Sequence, residues 1–162
     1  LRPDVVTYGA LISACEKARE WRSACQVLSG MRDGGLEPNV VTSSGLVSAF
    51  EKAYEWERAL GALREMRACR TVPNTITYSA AVSACEKCHR WEVALALLRE
   101  MSSTGVVVNT MAYNAAISAC EKGRQWEWAL ALVDELRSKG LRADAVTCSA
   151  AISACAASGE WE

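Results

Sequence analysis

The sequence predicts an all-α protein, a right-handed α-solenoid built from 35-residue antiparallel helix pairs. Three observations carry that expectation: a fixed period, helical apolar spacing inside each period, and helix-capping residues at one place in every period. Tryptophan falls at Trp21, Trp56, Trp91, Trp126 and Trp161, each 35 residues after the last. Residues 75–109 aligned with residues 110–144 give 18 identities in 35 positions, among them Tyr78 with Tyr113, Cys85 with Cys120 and Gly105 with Gly140. A period of about 20 to 50 residues marks an array of small units, each unable to bury its apolar face without a neighbour. Residues 1–162 therefore read as one array, with repeats at 5–39, 40–74, 75–109 and 110–144 and a partial repeat at 145–162.

Each repeat opens with an amphipathic helix. Tyr8, Leu11, Ile12 and Cys15 in the first repeat, and Tyr78, Val82 and Cys85 in the third, fall at helical spacing. The β-branched entry (Val5, Val6, Thr7) resembles a strand, but it runs unbroken into the helical pattern, and length favours helix. Asp4, Asn39, Asn74, Asn109 and Asp144 stand immediately before these helices, where Asn and Asp are favoured caps. After Lys17, Lys52, Lys87 and Lys122 come variable triplets, long enough only for a turn between antiparallel helices. The second helix starts at the tryptophan; Trp91, Ala94, Leu95, Leu98 and Met101 form its stripe in the third repeat. Glu57, Glu92 and Glu127 in its first turn and Arg32, Arg67, Arg99 and Lys139 near its end suit the helix dipole. Gly35, Gly105 and Gly140 end it, and Pro38 and Pro73 direct the chain onward.

Composition narrows the function classes. Eighteen basic and nineteen acidic residues give a formal net charge of −1, which argues against the broad electrostatic grip of a non-specific nucleic-acid binder but leaves room for a local basic line. No run of about 18 apolar residues occurs, so no membrane partner is expected. Cys15, Cys85, Cys120 and Cys155 share a repeat position with Phe50, and a position that accepts Cys or Phe is a buried apolar one; the chain reads as reduced and intracellular. It opens at Leu1 without methionine and stops one residue after the fifth period tryptophan, as a window from a longer array would, so a targeting segment would lie outside view. Cys85-Glu86-Lys87-Cys88-His89 matches a haem attachment signature, but Cys85 is a repeat position whose counterparts lack the second Cys and the His. Zinc would need ligands that a single histidine does not supply. With no nucleophile–base set, phosphate loop or paired carboxylates standing out, neither an enzyme, a cofactor, a metal nor a small-molecule substrate is expected.

The period, the Val-Thr-Tyr opening of the first helix, Ala-Leu-x-Leu-x-x-Glu-Met in the second and the Gly-x-x-Pro-Asn close together resemble the pentatricopeptide repeat family along the whole chain. The 34-residue tetratricopeptide repeat is the nearest competitor, and its period is one residue shorter. The resemblance implies binding of single-stranded RNA, one base per repeat, each base read by two or three side chains. It places base-reading residues at the fifth and last positions of a repeat: Gly9 with Asn39, Ser44 with Asn74, Ser79 with Asn109, and Asn114 with Asp144, while Ser149 lacks its partner. Ser with Asn implies adenine and Asn with Asp implies uracil; Gly9 has no side chain to reach a base. The expected target is 5′-N-A-A-U-3′. The second residues, Val6, Val41, Ile76, Met111 and Val146, would wedge between bases, and Lys17, Lys52, Lys87 and Lys122 match a position near the phosphates. Family members act on organellar transcripts, so a mitochondrial or plastid site and a role in RNA processing, editing, stability or translation are implied.

Each assignment has a plainer counterpart. Asn and Asp before a helix are explained by capping alone. The lysines could simply favour a helix C-terminus, paired with nothing, and Glu16, Glu51, Glu86 and Glu121 set an opposite charge beside each. Tyr8, Tyr78, Tyr113 and the tryptophans could stack on bases, yet their apolar stripes make them core residues. A scaffold for other proteins is the alternative function, since helical-pair solenoids also bind peptides.

Overall fold

The computed structural model describes residues 4–158; Trp161 and the end of the partial repeat lie outside the described residues. Among those residues all regular structure is helical: α1 (Val5–Lys17), α2 (Trp21–Asp33), α3 (Val40–Lys52), α4 (Trp56–Ala68), α5 (Thr75–Lys87), α6 (Trp91–Ser103), α7 (Thr110–Lys122), α8 (Trp126–Ser138) and α9 (Ala145–Ser158). The fold class is an all-α helical-repeat solenoid. No described helix is long and apolar enough to cross a membrane.

The expected caps are in place. Oδ1 of Asp4, Asn39, Asn74, Asn109 and Asp144 accepts the backbone N–H three residues on, at 2.8, 2.9, 3.0, 2.9 and 2.8 Å. Each such bond satisfies one of the four N–H groups that a helix leaves open at its start. The helix ends hold something the sequence did not suggest. Arg19, Tyr54, His89 and Arg124, one per hairpin turn, adopt φ of 55–62°, and the following N–H returns to the helix, as in Glu20 N–H to the Cys15 carbonyl at 2.9 Å. After the second helices, Gly35, Gly105 and Gly140 take φ of 74–76°, and Arg70 takes the same place at φ 56°. Left-handed backbone closes both helices of a pair, and non-glycine residues bear most of it.

Two compact units divide the chain, Leu1–Ala84 and Cys85–Glu162. In the first, α1 packs on α2 and α3, and α3 on α4. Ile12, Leu28, Met31, Val47, Phe50 and Leu63 form its buried centre, with Ala24 and Ala59 sealed where helices meet. Gly45 allows α1 and α3 to close up, because a Cβ there would lie 2.8 Å from Ile12 Cγ2. In the second unit, α7 packs on α6, α8 and α9, around Leu98, Met101, Tyr113, Ile117, Cys120 and Leu136.

The position shared by Cys and Phe is largely interior: Phe50, Cys85 and Cys120 are buried, and Cys15 and Cys155 are half-buried. All eight cysteines are free thiols. Burial pushes the Cys85 thiol up to about 12 and Cys120 to about 11, so neither supplies thiolate near neutral pH. Tyr78 and Tyr113 are core residues anchored at their hydroxyls: Arg67 Nη2 donates to Tyr78 at 2.9 Å, and Tyr113 donates to Glu135 Oε1 at 2.8 Å. The tryptophans depart from the expected core. Trp21, Trp56, Trp91 and Trp126 are each half-buried. They open the second helix, at the hairpin end, where the next repeat covers only part of the ring; Trp21 meets Phe50 at 5.8 Å between centroids while Arg58 lies 4.3 Å from its ring centre.

Candidate nucleic-acid interface

The start of each first helix combines an exposed apolar side chain with a polar cap. Val6, Val41, Ile76, Met111 and Val146 are 78%, 68%, 61%, 57% and 59% exposed. A helix residue between a cap and the core stripe must face outward, and a polar side chain would cost nothing there. Apolar side chains at all five positions, 35 residues apart in sequence, are therefore a recurrence that packing within the fold does not account for.

The fifth and last residues of a repeat are brought together wherever both belong to one unit and carry side chains. Asn114 Nδ2 donates to Asp144 Oδ2 at 2.9 Å. Ser44 and Asn74 are linked through Thr77: Ser44 Oγ and Thr77 Oγ1 lie 2.7 Å apart, and Thr77 Oγ1 donates to Asn74 Oδ1 at 2.9 Å. Ser44 and Ser79 are buried, Asn114 and Asn74 half-buried, and Asp144 and Ser149 exposed. Gly9 is half-buried opposite Thr42, whose Cγ2 would be 4.0 Å from an added Cβ. The caps are thus both helix termini and rims of the interface, and the two readings of Asn and Asp are compatible. The Thr147 backbone N–H, then the Asn114 amide and the Thr147 hydroxyl, hold the Asp144 carboxyl below the usual carboxylate range.

The third helix residue was not singled out in the sequence, yet it joins the pair. Thr42, Thr77 and Thr147 are buried. The signal was present as a threonine three residues after the cap at Thr7, Thr42, Thr77 and Thr147, replaced by Ala112 after Asn109.

The lysines are not unpaired. Lys52 Nζ lies 2.8 Å from Glu16 Oε1, and Lys122 Nζ 2.5 Å from Glu86 Oε1, each pair joining one repeat to the next. The plain reading of a lysine paired with nothing is corrected for these two: the acid that engages each belongs to the preceding repeat, not to its own helix. The Ser118 hydroxyl also donates to Glu86, at 3.0 Å, so that acid is shared, and the Ser83 hydroxyl donates to Glu51 at 3.0 Å. Lys17 is exposed and Lys87 half-buried. Among the described residues no group of three His, Cys, Asp or Glu could hold a metal ion.

A family model described as a pentatricopeptide repeat-containing protein matches residues 43–132, and a PPR repeat model matches residues 3–52. No curated protein matches the sequence. Among solved structures, the pentatricopeptide repeat protein PPR10 in complex with an 18-nucleotide psaJ RNA element is similar, with TM-score 0.83 and 25% identity over 98% of this chain and 24% of that one. Maize PPR10 gives TM-score 0.61 and 20% identity over 98% and 33%. The PPR domain of Arabidopsis thaliana protein-only RNase P 1, in complex with tRNA, gives TM-score 0.81 and 14% identity over 91% and 78%, a likeness of fold. The chain spans about a quarter of the length of the RNA-bound PPR10 it matches.

Proposed function

The chain belongs to the pentatricopeptide repeat family, and from that premise we propose that it binds single-stranded RNA sequence-selectively, one base per repeat, with the preference 5′-N-A-A-U-3′. The observation that carries this reading is the recurrence of an exposed apolar residue, Val6, Val41, Ile76, Met111 and Val146, two residues after each of five polar caps. RNA bases are flat and apolar on both faces, so a row of aliphatic side chains suits bases splayed out singly, while edge recognition falls to the polar pair beside each wedge.

The pairs have the chemistry for the preference. Asp144, held ionised, accepts from the N3–H of uracil and repels the N3 lone pair of cytosine. Asn74 has its amide oxygen engaged by Thr77, which leaves its amino group to donate to N1 of adenine. Ser79 with Asn109 takes the same part at the third base, whereas Gly9 leaves the first to Asn39 and Ser149 belongs to a fifth pair. Lys17, Lys52, Lys87 and Lys122 supply phosphate contacts, with Lys52 and Lys122 exchanging their glutamates for phosphate oxygens.

By family membership the biological setting is organellar RNA processing, editing, stability or translation, in a mitochondrion or plastid. The near-neutral net charge of −1 favours a protein scaffold as the second reading. Replacing Asn114→Ser together with Asp144→Asn tests the assignment. Because Asn caps helices as well as Asp, the fold is retained and the fourth preference moves from uracil to adenine. An unchanged base preference in direct binding would refute the residue roles, and no RNA binding by the folded chain would favour the scaffold.

A further inference from the structure

We propose that Thr77 and Thr147 are positioning residues for base choice, because each sets the direction of the hydrogen bonds in the reading pair it touches. This rests on the RNA-binding reading. A threonine hydroxyl has one proton and two lone pairs, which fixes what its neighbours must do.

At Thr77 the balance has one solution. Its Oγ1 lies 3.3 Å from the Asn74 backbone N–H, 2.9 Å from Asn74 Oδ1 and 2.7 Å from Ser44 Oγ. The backbone N–H can only donate to it, and the amide oxygen can only accept from it. With its proton given to Asn74, Thr77 receives the Ser44 proton, so the bonds run from Ser44 through Thr77 to Asn74 Oδ1, which also takes the Thr77 N–H at 3.0 Å. Ser44 is left with lone pairs and Asn74 with its amino protons. An acceptor beside a donor complements adenine, whose edge offers N6–H and N1, and opposes guanine, whose N1–H and O6 need the reverse.

At Thr147 the same hydroxyl meets Asn114 Oδ1, and Asp144 Oδ1 at 2.9 Å, two oxygens that must share one proton. Holding the Asn114 oxygen inward turns its amino group to Asp144 Oδ2. The pair then presents carboxylate lone pairs and a second amide proton, which suits the N3–H and carbonyl of uracil. In the third repeat Ala112 offers Asn109 a backbone N–H at 2.9 Å and has no hydroxyl to add.

The test measures binding of the full chain to RNAs that differ at one base, for Thr77→Val, Thr77→Ser and Thr147→Val. Thr77→Val keeps the side-chain shape and lowers the ratio of adenine to guanine affinity at the second base by about tenfold, the scale of one directed hydrogen bond. Thr77→Ser restores the ratio, and Thr147→Val lowers the ratio of uracil to cytosine affinity at the fourth base. An unaltered ratio in Thr77→Val overturns the inference and leaves the RNA-binding reading standing. No base preference in the parent chain overturns both. Should Thr77→Val fail to fold, Thr147→Val decides alone: an unaltered ratio at the fourth base overturns the inference.

Discussion

Replacing Ile76 with alanine separates the wedge role from any structural role, because the side chain is 61% exposed and supports little of the fold. The substitution removes three carbons, worth about 0.8 kcal/mol each when fully buried, or about 2.4 kcal/mol in total. Roughly six-tenths of that remains to be gained on contact, about 1.5 kcal/mol if bases cover the whole exposed part and about half as much if they cover one side. The expected loss of RNA affinity is therefore about three- to twelvefold. Stability should change by no more than about 0.5 kcal/mol, as for other surface positions. Fluorescence anisotropy with labelled RNA, beside a thermal melt, reads both quantities. Val72→Ala is the control, since Val72 is 72% exposed in a loop outside the wedge row. Unchanged affinity in Ile76→Ala, or an equal loss in Val72→Ala, would refute the wedge.

Three further outcomes follow from the geometry. The folded Asp144 pKa lies below its unfolded value, so the stability and the uracil preference it confers are complete above the unfolded pKa of about 4 and fade as pH falls through the folded value; the ratio of uracil to cytosine binding should be flat from about pH 5 to 8, and a change near pH 6 would contradict this. Arg70→Gly replaces a left-handed arginine with the residue found at Gly35, Gly105 and Gly140, relieving about 1 kcal/mol and raising Tm by about 2–4 °C; a lower Tm in calorimetry would show that the arginine side chain matters more than its backbone. Glu86→Gln releases Lys122 at a cost of about 0.5–1 kcal/mol in stability, and RNA binding, which no longer has to break that pair, should tighten by about two- to fivefold at low salt; an unchanged affinity would remove Lys122 from the phosphate contacts.

Much of the fold was legible because repetition converts weak local signals into a register. One Asn before one helix is an ordinary cap, whereas Asp4, Asn39, Asn74, Asn109 and Asp144 at equal spacing fix five helix starts, and all five carry the expected hydrogen bond. Other features were hidden for physical reasons. Arg19, Tyr54, His89, Arg124 and Arg70 do not announce left-handed backbone, since closing the helix, with the following N–H returned to its last turn, places it on residues that do not prefer it. The tryptophan series promised a core, but a side chain at a hairpin end receives a neighbour on only part of its surface. Glu16 showed in the sequence only as an opposite charge beside Lys17, while its observed partner is Lys52, 36 residues away, a distance that becomes a contact only when repeats stack. In the interface, the exposure of the second residues was anticipated, but the hydroxyl that joins the fifth and last positions was not. Thr77 and Thr147 read as helix-entry residues until side-chain distances connect them to Ser44 and Asn114.

The most direct test of the whole account is the affinity of the full chain for a single-stranded RNA carrying AAU and for each of its single-base replacements, at two salt concentrations. The account predicts that AAU binds most tightly, that each replacement weakens binding, and that all affinities fall as salt rises. Equal affinity for every replacement, from folded protein, would contradict it.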